Sequence, residues 1–248
     1  MTPPADGRLD FAERWLQDGL RVLRPALSVV QVSVDMTAAL RRLDDLGREG
    51  VRATPTHLLV QAAARALAAN PSLHQVVAGN RRDRPAQVDI GLSVTGDTFV
   101  NPVLVIERAD RKTVAEIAAE ITRRAPDAQA ADRHMQDLLR RWGWLVPFGS
   151  LRRAMLRLLF RSPAFRRRGA GTFQVSTVAG DWALTSTFAT SGVLIGGQVS
   201  SRVVSVDGAP AVRPIMTLTL SGDHGVWDGR AAARFLAAVR AQLEDAEI

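Results

Sequence analysis

The 248-residue chain has no cysteine and no tyrosine, and Lys112 is its only lysine. The absence of cysteine excludes disulfides, a thiolate nucleophile and any Cys-based metal site. With no tyrosine and only 5% aromatic residues, stacking platforms for nucleic-acid bases are poorly supplied. Helix-turn-helix, ribonucleoprotein-type aromatic and zinc-finger patterns are also missing, so nucleic acid is not an expected partner. No uncharged apolar run reaches the roughly 18 residues that a membrane span needs. The first residues, Met1-Thr2-Pro3-Pro4-Ala5-Asp6-Gly7, lack the basic and apolar regions of a secretory signal, which makes the cytoplasm the expected compartment.

What is present fits a globular domain. Hydrophobic residues make up 46% and charged residues 23%, with a net charge of +7 carried almost wholly by arginine. That surplus suits nucleic acid, an anionic membrane face or a phosphorylated ligand, and is equally compatible with an arginine- and alanine-rich coding bias. The length accommodates one large domain with a substantial core.

Hydrophobic periodicity alternates between helix and strand along the chain. An N-terminal arm with a short amphipathic helix over 11–23 fills residues 1–25. A single domain then runs over 26–248. Leu27 to Val34 alternates as a strand, and a helix follows from Asp35-Met36-Thr37 to about Glu49, closed by Gly50. Thr54 or Thr56 caps the next helix, which ends at Asn70-Pro71 and carries an alanine-heavy face at 62, 63, 66 and 69. Two strands over 88–94 and 100–106 join at Gly96-Asp97. Thr113 caps a helix from Val114 to about Arg124, ended by Pro126, and 127–139 is only weakly helical. Strands follow at 171–178, 192–204 and 213–221, with a turn at Asp207-Gly208, and the last helix spans about 230–244. The fold class is α/β.

Residues 140–168 break this pattern. Trp142, Trp144, Phe148 and a helical apolar face at 151, 155, 158 and 159 are interleaved with nine arginines. One reading is a peripheral membrane or partner-docking helix. The other, which is favoured, is a helix packed over the core with its arginines in water or paired with acids. The segment can also wall a substrate pocket.

The chemistry-bearing motif is Asp223-His224-Gly225-Val226-Trp227-Asp228-Gly229, at a strand-to-helix junction. Histidine titrates near neutral pH and can serve as a general base, with a carboxylate four residues on to support it. A lone histidine at a strand end is more often a satisfied polar residue.

His-x-x-x-Asp-Gly ahead of a helix resembles the active-site signature of the superfamily that includes chloramphenicol acetyltransferase and the catalytic domain of 2-oxo acid dehydrogenase acyltransferases. Further strings are similar to that domain in order and spacing: Ser33 to Leu40, Thr56 to Leu67, Asp89 to Val94, Val100 to Leu104, Ala109 to Ile117, Gly171 to Ser176 and Arg213 to Ser221. The resemblance covers about 26–126 and 170–245 and leaves 140–168 as a basic amphipathic insertion. It implies a two-layer sandwich, a mixed sheet with helices on one face.

By that resemblance His224 is the general base, and Ser176 donates a hydrogen bond to the tetrahedral oxyanion. Asp228 supports the active-site turn through a salt bridge, for which Arg14 is a candidate partner, and Gly229 permits the turn into the helix. The same resemblance implies acetyl-CoA or another acyl-CoA as co-substrate, direct transfer without an acyl-enzyme, no metal, and a homotrimer with active sites between subunits. The arginine surplus suits the phosphates of coenzyme A.

Three departures direct the reading of the acceptor. No Asp-Lys-Ala lipoylation site or lipoyl domain precedes the catalytic region. The C-terminal residues lack the Leu-rich tail that joins trimers into larger cores. Gly225 stands where the dehydrogenase enzymes usually have arginine, and Trp227 replaces a smaller aliphatic, both changes touching the substrate pocket. These favour a stand-alone acyltransferase with a small-molecule acceptor, resembling the O-acetyltransferases of tetronate polyketide pathways in natural-product biosynthesis. The alternatives are a dihydrolipoyl acyltransferase core using a lipoyl domain supplied in trans, and a catalytically inactive scaffold.

Overall fold

Residues 10–22, 26–71, 73–78, 81–95, 101–187 and 189–245 are described by the computed structural model. The expected turn at Gly96-Asp97 lies outside the described residues. The strands are β1 (Leu27–Asp35), β2 (Val76–Ala78), β3 (Arg81–Asp83), β4 (Ile90–Ser93), β5 (Val103–Ile106), β6 (Phe173–Thr177), β7 (Gly192–Gly196), β8 (Ser200–Val206) and β9 (Ala209–Asp223). The α-helices are α1 (Phe11–Val22), α2 (Thr37–Arg48), α3 (Pro55–Ala69), α4 (Val114–Trp142), α5 (Gly149–Leu159), α6 (Pro163–Ala170) and α7 (Gly229–Asp245). Among the described residues one mixed sheet runs β1-β9-β7-β6-β4-β5, with β8 also paired to β9, and β2–β3 form a separate ribbon. The β4–β6 and β6–β7 pairs are parallel, and the other ladders are antiparallel.

Period-two alternation splits each strand between the two faces of the sheet. Val34, Ile90, Leu92, Phe173, Val175, Leu194, Leu218 and Leu220 join α3 and α7 in a single core. The alanines of α3 let it approach closely: Ala62, Ala63, Ala64 and Ala66 are fully buried, while Ala69 is exposed at the helix end. Its first turn is closed by His57, whose Nδ1 accepts the Thr54 N–H at 2.8 Å. The opposite face is covered in part by the 140–168 region. A side chain on Gly91 would collide with the carbonyl of Ala170 at the end of α6. Around that point Phe160, Ala170 and Ala189 form a small second cluster with Val22 and Leu156. Helices therefore touch both faces, the large ones on one and this insertion on the other.

Two differences from the sequence reading change the elements themselves. Helix α4 does not stop at Pro126 but runs 29 residues to Trp142. Proline removes one backbone donor, yet packing of the second half compensates: α1 docks there, with Asp10 accepting from Arg140 Nε at 3.1 Å. The stretch 192–204 is two strands rather than one. Gly196 pairs with Leu218 but Ser200 with Ile215, so β7–β8 carries one residue more than β9 across this step, a bulge. A side chain on Gly197, at the break, would collide with the carbonyl of Asp181. No helix among the described residues is long and apolar enough to cross a membrane.

Within the insertion, α5 packs the opposite way from the expected one. Arg152 is buried and donates from Nε to Asp18 of α1 at 2.8 Å, and Arg153 donates to the other oxygen of the same carboxylate at 2.9 Å. Burial alone would raise the Asp18 pKa, but these two guanidiniums outweigh it and hold the carboxyl below its ordinary value. Two further Arg152 bonds reach the carbonyls of Val146 and Pro147. With that side seated on α1, Leu151, Met155, Leu158 and Leu159 face outward. The inward placing of the apolar face is thus corrected, whereas the pairing of arginines with acids holds for Arg152 and Arg153.

Candidate active site

The motif forms because β9 runs out of partners one residue after Asp223. Asp223 is the last pair of the β1 ladder, opposite Leu27. His224 N–H still reaches the Ala26 carbonyl at 2.7 Å, so the backbone of the histidine is held like one more rung. The chain then turns sharply. The carbonyl of Asp223 accepts the N–H groups of Val226 (2.8 Å) and Trp227 (3.3 Å), and its Oδ1 accepts the Gly225 N–H at 2.9 Å. An aspartate that bonds its own backbone two residues on is a standard way to start a turn.

The floor of this turn is polar and largely hydrogen-bonded, although the buried Gln75 Oε1 accepts no hydrogen bond among the described residues. Ser191 accepts on its carbonyl from Asp223 N (2.9 Å) and from Trp227 Nε1 (3.1 Å), while its hydroxyl donates to the Leu73 carbonyl at 3.0 Å. Gln75 Nε2 donates to the Val226 carbonyl at 3.0 Å. Beside these, His74 shares a 2.8 Å hydrogen bond with Thr172, whose hydroxyl donates to the Asp89 carbonyl at 3.0 Å. That hydroxyl has given up its proton, so His74 Nε2 is the donor. Burial lowers the His74 pKa, partly countered by the carboxylates of Asp89, Asp110 and Asp83.

The His224 ring is exposed, with Nδ1 at 3.1 Å from the Trp227 carbonyl. A carbonyl only accepts, so Nδ1 carries the hydrogen and Nε2 presents its lone pair. This is the tautomer a general base requires.

Asp228 has a different place from the one expected. Its Oδ1 accepts the Ala231 N–H at 2.8 Å and its carbonyl accepts Ala232 N–H at 3.1 Å, so it caps α7. Within the chain it makes no ion pair with Arg14, whose guanidinium lies over the Phe11 ring, 5.2 Å from its centroid. Gly229 is the first residue of α7; it has no positive φ, and a side chain there would meet nothing. The glycine this turn requires is Gly222, where a side chain would strike the Trp227 indole. Trp227 is correspondingly only 4% exposed and belongs to the core, so it does not line an open pocket of this chain. Gly225 is exposed beside His224.

Ser176 lies on β6, half-buried, with Ile195 as its β7 partner, and Ile195 faces Thr219 on β9. Thr219 is five residues before His224. At about 3.4 Å per residue the serine and the histidine of one chain stand about 17 Å apart along the sheet, with two inter-strand steps of about 4.8 Å between them. One chain does not bring them together.

Comparison with known proteins gives this geometry its context. The family described as 2-oxoacid dehydrogenases acyltransferase (catalytic domain) matches residues 22–140 and 189–248. The chain belongs to this family. His224 and Asp228 fall inside the matched part of the acyltransferase domain, whereas Ser176 falls in 141–188, which the match does not span. Among curated relatives, the dihydrolipoyllysine-residue succinyltransferase component of the 2-oxoglutarate dehydrogenase complex of Bartonella vinsonii subsp. berkhoffii is 29% identical over 223 residues, 86% of this chain and 47% of that protein. The lipoamide acyltransferase component of the branched-chain alpha-keto acid dehydrogenase complex of Bacillus subtilis (strain 168) is 27% identical over 202 residues, 79% and 40% of the two chains. The chain spans about half the length of the curated relatives it matches, or less. Its fold is shared with a probable dihydrolipoamide acetyltransferase from Listeria monocytogenes 4b F2365 (TM-score 0.73, 22% identity, covering 98% of this chain and 95% of that one). It is shared too with the cubic core of the pyruvate dehydrogenase multienzyme complex (TM-score 0.71, 22% identity, 99% and 97% covered).

Proposed function

We propose that this domain transfers an acyl group between coenzyme A and a dihydrolipoyl thiol presented by another chain or segment. The carrying observation is the His224 ring, pinned through Nδ1 to the Trp227 carbonyl with Nε2 free, inside the family-matched part of the chain. In the direction from acyl-CoA, Nε2 takes the proton of the acceptor S–H as the sulfur attacks the thioester carbonyl. The oxyanion of the tetrahedral intermediate accepts a hydrogen bond from the Ser176 hydroxyl. Collapse of that intermediate breaks the bond to coenzyme A, whose departing thiolate takes the proton back from Nε2. Such an oxyanion donor is worth about 2.7–4 kcal/mol in a preorganised site.

The separation of Ser176 from His224 supports a shared site, with the serine supplied by a neighbouring copy and the assembly a homotrimer. The acceptor reading has moved from the sequence expectation. The relatives are named for lipoyl acceptors, and Trp227, one of two residues that argued for a different acceptor, packs in the core. A small-molecule hydroxyl, the tetronate hydroxymethyl included, is the second reading. The exposed Gly225, which puts no side chain beside the base, favours it.

Thiol release from acetyl-CoA and from succinyl-CoA, with dihydrolipoamide and with a panel of alcohols as acceptors, tests this reading. Turnover with dihydrolipoamide is expected, and His224→Ala lowers it by about 10²–10⁴-fold. Turnover with alcohols alone assigns the second reading. A His224→Ala variant as active as the wild type removes the proposed base.

A further inference from the structure

We propose that the outward face of α5, with the aromatic residues just before it, is a docking surface for an anionic lipid bilayer. The stretch lies in the part of the chain that the family match leaves out. Between 138 and 180 the sequence holds nine arginines and no aspartate or glutamate. What decides its role is the seating of α5. Asp18 takes Arg152 and Arg153 on the inner side, and this turns Leu151, Met155 and Leu158, spaced i, i+4 and i+7, into solvent. Leu158 and Phe148 are each 69% exposed, and Trp142 and Trp144 are more than half exposed.

Scattered exposed apolar residues are ordinary, but a row of them along one helix face, preceded by exposed aromatics, is not. The flanking charge identifies what covers it. Arg157, Arg161, Arg167 and Arg168 are exposed, and among the described residues none has a carboxylate partner. A second copy packed through this same face would oppose like charges, which disfavours a two-fold contact here. An anionic bilayer instead accepts the leucines and tryptophans at the headgroup boundary and neutralises the arginines around them. Arg157 and Arg161 also line, with Val22, Ala154, Leu158, Phe160 and Arg166, a cleft whose apolar walls and cationic rim suit a lipid headgroup and the start of its chain. The helix is short, so it lies in the interface plane and does not span.

Co-flotation of the full chain with vesicles is the test. One vesicle set is phosphatidylglycerol mixed with phosphatidylcholine, the other phosphatidylcholine alone, both at about 0.15 M salt. The wild type is expected to float with the anionic vesicles and not with the zwitterionic ones. Each Arg157→Gln or Arg161→Gln change weakens binding about fivefold, and Leu158→Asp or Trp144→Ser weakens it at least as much. These residues are exposed, so each variant should keep the wild-type unfolding midpoint. The proposal is overturned if the wild type stays with the soluble fraction, if both vesicle types bind equally, or if Leu158→Asp floats as well as the wild type. A soluble wild type whose particle mass falls on Leu158→Asp substitution would assign the face to contacts between copies.

Discussion

The indole of Trp227 occupies the space that any side chain on Gly222 would need. Gly222 is two residues before His224 and Trp227 three after, so this contact closes the turn that carries the proposed base. The Trp227 carbonyl in turn orients the imidazole. A core contact and the hydrogen bond that holds the proposed base therefore share one residue.

Gly222→Ala forces that indole outward. Overpacking of this kind costs about 1–3 kcal/mol, read as a lower denaturant midpoint. Because the carbonyl moves with the ring, kcat is expected to fall as well; a variant with lowered stability but the wild-type rate would separate the two roles, and one unchanged in both would overturn the contact.

Asp228 as a helix cap makes a prediction that a salt-bridge role does not. Asparagine caps as well as aspartate, so Asp228→Asn leaves stability nearly unchanged, whereas Asp228→Ala costs about 1 kcal/mol. Equal losses from both substitutions would restore the ion-pair reading. Thermal unfolding of the three proteins decides it.

Ser176→Ala and His224→Ala chains are each expected to be nearly inactive alone. Mixed in equal amounts, denatured and refolded together, they regain about a quarter of wild-type activity, because that share of the shared sites joins two unaltered residues. A mixture as inactive as its parents would place both groups in the same chain.

Acid sensitivity follows from two buried histidines. Burial lowers the pKa of His57, and it lowers that of His74 more than the nearby carboxylates raise it. As pH falls below about 6.5, the unfolded chain takes up these protons before the folded one. Stability is therefore full above that value and declines as pH drops toward the folded pKa values. Urea midpoints between pH 7 and 5 should fall accordingly. His57→Gln keeps an acceptor for the Thr54 N–H without titrating, and should flatten part of the slope.

Local signals in the sequence reached the strand-to-helix junction at 223–229, the Thr54 and Thr113 caps and the alanine face of α3, since each depends on neighbours in sequence. What they missed depends on distant partners. Apolar periodicity alone turns Leu151, Met155 and Leu158 inward, but Asp18, 134 residues before Arg152, seats the opposite side. Pro126 reads as a stop until α1 packs across the second half of the helix. Trp227 reads as a pocket residue because nothing local ties it to Gly222 and Ser191. The Asp223 turn is legible locally as well, since Asp-x-Gly is a turn signal.

The distance between Ser176 and His224 also bears on how such a protein behaves at low abundance. On the proposed shared site, a lone chain would hold two incomplete halves facing different ends of its sheet. Specific activity should then depend on concentration, vanishing on dilution before the fold is lost. A copy altered at His224 alone would silence one shared site and still serve the other through its Ser176.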